Sequence, residues 1–442
     1  MAVVLDAIYL LVLLLLSPYL VYKACTTGKY RRGIWSKFTG LLDRCDRPLP
    51  AHPEAPHPIV WFHGVSVGEI HLLGPIVQRF RERHPDWVCA ISTTTDTGYD
   101  EAKKRFPGIS VFHWPLDFSW ATRRVLATVR PTLVVLAEGE MWPNFLRMAK
   151  RQGAKVAVIN GRMSPRSFRR HCRFRRFTGK LLQYIDLFAV QTIAYAASFR
   201  ALGVVQERIA VTGSVKYDGV VMDRQNAKTK EMAKLFGIEK DDLVFVAGST
   251  QDPEEEIAVA VWEACRRDYP KLRLILVPRQ KDRFEAVAGL LAKQNKPFVR
   301  RSELKKSVQD RDSIILVDSI GELNAIWGLS HIAFVGGSVD GRRGGQNMIE
   351  PAAYGSAVMF GPHVWNFRET ATRLVEAGAA VQVSDAAAME DVSRRLLANP
   401  AERAQLGTRA QELVKSQQGA TERTIACLES LIQPTKAHEL AA

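Results

Sequence analysis

The chain has six cysteines (Cys25, Cys45, Cys89, Cys172, Cys265 and Cys427), and they are scattered, with no Cys-x-x-Cys pair and no metal-ligand spacing. That pattern argues against a disulfide scaffold or a structural zinc module and fits the reduced thiols of a cytoplasmic domain. A clustered Asp/His ligand set is also missing, so no metal and no cofactor are expected. Long low-complexity segments are absent. Acid is scarce relative to base: 46 Asp and Glu stand against 61 Lys and Arg, a formal charge of +15. Such an excess calls for an anionic partner, which is nucleic acid, a membrane surface or a phosphorylated substrate. No nucleic-acid fold signature accompanies the charge, so nucleic acid is not expected.

The N-terminus holds the one long apolar run. Met1–Tyr22 is apolar apart from Asp6, and Ala7–Leu16 is unbroken. About 20 such residues span roughly 30 Å of hydrocarbon. A cleaved signal peptide needs a basic start and a small-x-small site, whereas this chain has no basic residue before Lys23. Tyr22-Lys23-Ala24-Cys25 is also a poor lipoprotein signal. An uncleaved anchor is expected, with Lys23, Lys29, Arg31, Arg32 and Lys37 holding the downstream chain in the cytoplasm. Asp6 and Pro18 shorten the clean span, which leaves a helix buried in the globular part as the alternative.

The length of 442 residues accommodates two domains. Arg47–Pro58 reads as a linker. Beyond it, short apolar runs alternate with amphipathic segments, which predicts an α/β fold with parallel sheets. The predicted strands of the first half are Ile59–Phe62, Val88–Ser92, Ser110–Phe112, Thr132–Leu136, Lys155–Ile159, Leu187–Val190 and Ile209–Val211. Those of the second half are Val244–Ala247, Leu272–Val277, Ile314–Val317, Ile332–Val335, Ala357–Phe360 and Ala380–Val383. The charged stretch Asp218–Asp242 reads as the crossing between them. The expected organisation is an anchor at 1–22, a basic juxtamembrane segment and linker at 23–58, a Rossmann-like domain at 59–218, a linker at 219–242, and a second Rossmann-like domain with C-terminal helices at 243–442. Two such domains facing a cleft form the GT-B arrangement.

Several strand ends carry chemistry. After Ile332–Val335 come Gly336-Gly337-Ser338, a second Gly-rich turn at Gly341–Gly345, and a helix-like segment with Glu350. Glycines there let backbone N–H groups approach a phosphate, and a carboxylate one turn inside the helix suits ribose hydroxyls. His63-Gly64-Val65-Ser66-Val67-Gly68-Glu69 places Glu69 near a helix N-terminus, where it either stabilises that end or takes a proton from an attacking hydroxyl. Glu138 and Glu140 follow another strand beside Trp142 and Pro143, as the caps of a rigid turn or as the grip on a polar ligand. Lys216 closes a third strand as a cation for a carboxylate or phosphate. Arg279, after Pro278, offers a bidentate guanidinium. Ser319-Ile320-Gly321-Glu322 precedes an apolar helix and presents either a nucleotide site or an ordinary helix start. Between Arg162 and Lys180, seven arginines and Lys180 are interleaved with Phe168, Phe174 and Phe177. That composition fits an anionic membrane surface or the phosphates of a lipid.

The ordered set GVSVGE, EGEMWPN, NGRMSPRS, TGSVKYD, LVPRQKDRF, GELNAIWG, AFVGGS, GGQNMIEPAAY and MFGPHVWNF resembles the 3-deoxy-D-manno-octulosonic acid (Kdo) transferases over nearly the whole chain. The resemblance implies a GT-B glycosyltransferase that moves Kdo from CMP-Kdo to a lipid A precursor, lipid IVA, in lipopolysaccharide biosynthesis. It also implies a place at the cytoplasmic side of the inner membrane and an inverting, metal-independent displacement. On this reading Glu69 is the general base, and Glu138 and Lys216 stabilise the transition state. Pro278, Arg279, Ile320, Gly321, Glu322, Asn347, Met348, Ile349 and Glu350 match the CMP-contacting segments. The chain departs from the family pattern at Gln280 and Gln346, where many members carry histidine, so the donor contacts differ there. Two rival readings are a GT-B transferase of a UDP-sugar and a membrane-tethered lipid-binding protein without turnover.

Overall fold

Parallel strands buried on both faces need continuous apolar runs, because helices cover the sheet above and below. In the N-terminal half those runs become β1 (Ile59–His63), β2 (Val88–Thr93), β3 (Ser110–His113), β4 (Leu133–Ala137), β5 (Lys155–Gly161), β6 (Leu187–Val190) and β7 (Ile209–Val211). They form one parallel sheet in the order β3-β2-β1-β4-β5-β6-β7. Side chains alternate across it: Ile59 and Trp61 enter the core on one face with Phe112, Trp114 and Phe145, whereas Val60 and Phe62 join Ile70, Leu73 and Phe80 on the other. The chain runs outward from β1 to β3, then restarts on the opposite side of β1 with β4. The carboxyl ends of β1 and β4 therefore flank a topological switch point, where open α/β sheets bind ligands.

The second half repeats this plan with β8 (Leu243–Thr250), β9 (Leu272–Pro278), β10 (Phe298–Arg300), β11 (Ile314–Leu316), β12 (Ile332–Val335), β13 (Ala357–Phe360) and β14 (Ala380–Gln382). Their order is β10-β11-β9-β8-β12-β13-β14, all parallel, with the switch between β8 and β12. The thirteen strands expected from sequence are present within a few residues at their ends. The edge strand β10 was not expected: it is only three residues long, half-buried, and lacks the apolar run of a central strand.

The computed structural model describes residues 2–27, 32–42 and 57–432. Lys29, Arg31, Cys45 and nearly all of the Arg47–Pro58 linker lie outside these. The chain divides into a unit of Met1–Asp218 with Gln418–Ala442 and a unit of Gly219–Gln417. This differs in two places from the boundaries drawn from sequence. The stretch 219–242 is part of the second unit, since Arg224 donates to the carbonyls of Tyr354 (2.6 Å) and Gly328 (3.1 Å) and the helix Ala227–Leu235 packs there. The last helix, Ala420–Ile432, returns to the first unit: the Asp218 carboxylate accepts from Gly419 N at 2.7 Å and Thr421 N at 2.5 Å. Ala420, Ile425 and Leu428 join the core beneath β1 and β4. The first helix, Ala2–Thr27, extends past the expected end at Tyr22 and is long and apolar enough to cross a membrane by length and composition.

Candidate active site

The helix Val67–Arg83 starts directly after β1 and its short loop, which puts Glu69 in the first turn at the switch point. Gly64 makes the tight approach possible, because a Cβ there would stand 3.1 Å from the Glu69 Cβ. One carboxylate oxygen of Glu69 accepts from Val65 N at 2.7 Å, so the helix-end role is real. The other has only a long contact of 3.4 Å with the Ser66 hydroxyl. Burial pushes this carboxyl from 4.5 up to about 7; the Val65 N–H pulls it down, and the charges of Glu138 and Glu140 raise it further. A carboxyl with that pKa can take up or release a proton near neutral pH. The nearby His63 is a different case. Burial holds its pKa down to about 3, its Nδ1 lies 2.9 Å from the Ser92 hydroxyl, and its ring stacks 3.9 Å from Trp114. It stays neutral and structural.

Glu138 follows β4 with φ 59°, and Asn160, near the end of β5, has φ 51°. Side chains rarely adopt this left-handed region, at a cost on the order of 1–3 kcal/mol each, and such strain gathers at functional sites. The strain serves one cluster. Glu138 pairs with Arg162 at 2.7 Å and with Lys216 at 3.2 Å, and it accepts from the Asn160 amide at 3.3 Å. Asn160 Oδ1 in turn accepts from Val215 N at 3.1 Å, which fixes the short turn that carries Lys216. Glu69, Glu138 and Lys216 thus belong to one locality on the first unit, together with Glu140, whose carboxyl burial also raises. The motif NGRMSPRS contained both Asn160 and Arg162, but sequence reasoning gave Asn160 no role and placed Arg162 only in the basic segment assigned to anionic lipid.

In the second unit, Arg279 stands just past β9 and donates from Nε to Gln346 Oε1 at 3.1 Å. The outer edge of the guanidinium is left for a phosphate or carboxylate. The departure at Gln346 therefore has a defined role as the acceptor that orients Arg279. Asn347 donates to Glu350 at 3.0 Å, burial raises the Glu350 carboxyl, and Asn324 and Asn347 hydrogen-bond to it. Glu322 pairs with Arg301 at 2.6 Å and with the Ser319 hydroxyl, while Ile320 is exposed and Gly321 takes φ 98°. The helix after Glu322 carries Asn324, which links this loop to Glu350. Met348 and Ile349 have buried side chains, which leaves their backbone to face the loop.

The Gly336–Ser338 loop also differs from expectation. The amides of Gly337, Ser338 and Val339 donate to the buried carboxylate of Glu254 at 2.6, 2.8 and 3.1 Å, and Gln251 N adds a fourth bond at 3.0 Å. An internal carboxylate occupies the donors that sequence reasoning had reserved for a phosphate. Glu254 follows β8, so it closes the β8/β12 switch point from inside. Among the described residues no group of three or more His, Cys, Asp or Glu is placed to hold a metal ion.

Residues 39–219 match the family described as 3-deoxy-D-manno-octulosonic-acid transferase (kdotransferase). The 3-deoxy-D-manno-octulosonic acid transferase of Chlamydophila psittaci is 34% identical over 391 residues, 88% of this chain and 86% of that protein. Its counterpart in Haemophilus influenzae is 33% identical over 85% of this chain and 87% of that protein. The solved UDP-GlcNAc 2-epimerase of Neisseria meningitidis, bound to UDP-GlcNAc, superposes with a TM-score of 0.58 at 13% identity. It covers 84% of this chain and 100% of that one, and at this identity the likeness concerns the fold alone. With such identity sustained over most of its length, the chain belongs to the 3-deoxy-D-manno-octulosonic acid transferases and is a glycosyltransferase.

Proposed function

We propose that the protein transfers Kdo from CMP-Kdo to the lipid A precursor lipid IVA in lipopolysaccharide biosynthesis, with Glu69 as general base. The observation that carries this reading is the Glu69 carboxyl, raised to about 7 beside the Glu138–Arg162–Lys216 cluster. In the step, Glu69 takes the proton of an acceptor sugar hydroxyl as that oxygen forms a bond to the anomeric carbon of Kdo. The bond from that carbon to the CMP phosphate oxygen breaks, and CMP leaves with the electron pair. A single displacement of this kind inverts the anomeric centre. It is metal-independent in this proposal, with Lys216 and Arg279 countering the developing negative charge and Glu138 orienting Lys216. The CMP moiety is assigned to Pro278, Arg279, Ile320–Glu322 and Asn347–Glu350, with Met348 and Ile349 contributing backbone only.

The helix Ala2–Thr27 supports attachment to the inner membrane, with both units on the cytoplasmic side. The helices Pro165–Arg173 and Arg175–Leu182 support contact with anionic headgroups or acceptor phosphates. Arg166, Arg169, Arg170 and Arg173 line a cavity of ≈ 600 Å³, and Phe174 and Phe177 are exposed beside them. The test combines purified protein, CMP-Kdo generated in situ and tetraacylated lipid A precursor, with products read by mass spectrometry. A gain of one or more Kdo units is expected, inhibited by CMP and not by UDP. No gain from a folded protein with an active donor supply refutes the reading, and inhibition by UDP alone moves it to a UDP-sugar donor.

A further inference from the structure

The apolar run of the first helix contains one acidic residue, and the first unit is built around it. Asp6 is 8% exposed. Its Oδ1 accepts from Ser119 N at 2.9 Å and from the Asn144 amide at 3.2 Å, and its Oδ2 accepts from the Ser119 hydroxyl at 2.5 Å. One turn on, the Tyr9 hydroxyl donates to Asp117 at 3.1 Å and its ring meets Phe118 edge-on at 6.0 Å. Asp117 is itself held by the backbone N–H groups of Asn144 and Phe145, at 3.0 and 2.8 Å. The start of the helix is thus seated on the unit that carries Glu69 and Glu138.

The chain beyond the helix returns to the same place. Phe38 meets Phe118 at 5.2 Å, Trp120 Nε1 donates to the Phe38 carbonyl at 2.9 Å, and Arg32 pairs with Asp100 at 2.6 Å. Between the two attachments Leu10, Leu11, Val12, Leu14, Leu15 and Leu16 are all exposed. Two lengths constrain how this run meets a bilayer. From Asp6 to Lys23 the helix measures about 26 Å, most of a hydrocarbon core of ~30 Å. A crossing helix would therefore carry Asp6 to the face opposite Lys23, and Ser119 and Asn144 cannot follow it there. A perpendicular plunge and return fails as well. From Thr27 to Arg32 the chain reaches at most about 18 Å, against a helix about 39 Å long.

We propose that the helix Ala2–Thr27 lies along the N-terminal unit within one leaflet, latched by Asp6 to Ser119 and Asn144, and does not cross the bilayer. The partner is the lipid interface, and the inference rests on the membrane reading above. The exposed Trp35, in the short helix Ile34–Thr39 that follows, supplies an aromatic of the kind that settles at headgroup level. The latch holds the unit bearing the base at a set height over the lipid from which an acceptor would be drawn.

The test is topological and needs no turnover. An epitope tag is fused ahead of Met1 of the full chain, and protease is added to spheroplasts or to inverted inner-membrane vesicles. The expected result is a tag protected in spheroplasts and cut in inverted vesicles, on the same side as the catalytic units. Asp6→Leu, checked for folding by its thermal unfolding in detergent, should move a substantial fraction of the tag to the outer face. Cutting of the wild-type tag in spheroplasts overturns the proposal, as does an Asp6→Leu tag that stays wholly protected. Recovery of the wild-type chain in the soluble fraction would instead overturn the membrane reading itself.

Discussion

Replacing Glu69 by glutamine keeps the side chain's size and removes its charge and its basicity. In the folded protein burial raises this carboxyl from 4.5 to about 7. Each pKa unit corresponds to about 1.4 kcal/mol, so the ceiling on the linked stability is roughly 3 kcal/mol. Partial exposure lowers that to about 1–2 kcal/mol. The folded value lies above the unfolded one, so the folded state holds the proton more tightly. This contribution is fully present below the unfolded pKa and is lost as pH rises through about 7. Wild type should therefore lose about 1–2 kcal/mol relative to E69Q between about pH 5 and about pH 8, read as the difference in their thermal unfolding. Catalysis should move the other way. The wild-type rate should climb with pH through a limb near 7, and E69Q should lose about 10²–10⁴-fold in kcat at every pH while still binding CMP. Initial rates of CMP release across that range provide the assay. An E69Q enzyme within about tenfold of wild type, or a wild-type limb near pH 4–5, would refute the assignment of the base.

Three further outcomes follow from the geometry. Lys216→Ala should lower kcat by about 10²-fold, and Arg162→Ala and Lys216→Ala should combine non-additively because both act on Glu138; additive losses in a double-mutant cycle would separate them. Arg279→Ala should weaken CMP binding by about 1.5–3 kcal/mol in calorimetry, with a smaller loss for Gln346→Ala, and equal losses would deny Gln346 its orienting role. Glu254→Ala orphans four backbone N–H groups and should cost at least about 2–3 kcal/mol in denaturant unfolding while raising the KM for donor; Glu254→Gln should recover part of both, and an unchanged KM would show that the loop does not shape the donor site.

The strands were legible because a parallel sheet demands uninterrupted apolar runs, and Leu133–Ala137 or Ile332–Val335 admit few other readings. β10 was not, since Phe298–Arg300 earns its place only by pairing with β11. The positions of Glu69, Glu138 and Lys216 at strand ends could be read directly. The pairing of Asn160 and Arg162 with Glu138 could not, because it arises from left-handed backbone and from side chains that meet only when the strands are paired. Glu254 was invisible for a similar reason: it lies 83 residues from the amide of Gly337 that it holds.

By itself, the sequence determined the local choices: which runs are strands, where each loop turns, that two α/β units exist, and which family the chain joins. These follow from periodicity and composition over short windows, where neighbours along the chain decide the outcome. The tertiary structure alone decided which carboxylate is spent on backbone donors and which keeps an oxygen nearly free of them. Glu69 is half-buried and Glu254 fully buried, and both are first-turn glutamates with raised pKa values. Glu254 meets four backbone donors and is spent on them, whereas Glu69 meets one strong donor and its second oxygen has only a 3.4 Å contact with the Ser66 hydroxyl. Only the fold also turned Asp6 from a flaw in a hydrophobic run into the point where that run is fastened, because Ser119 and Asn144 lie more than a hundred residues away. Burial and long-range partners set the free energy of a charge, and neither is written in the residues beside it.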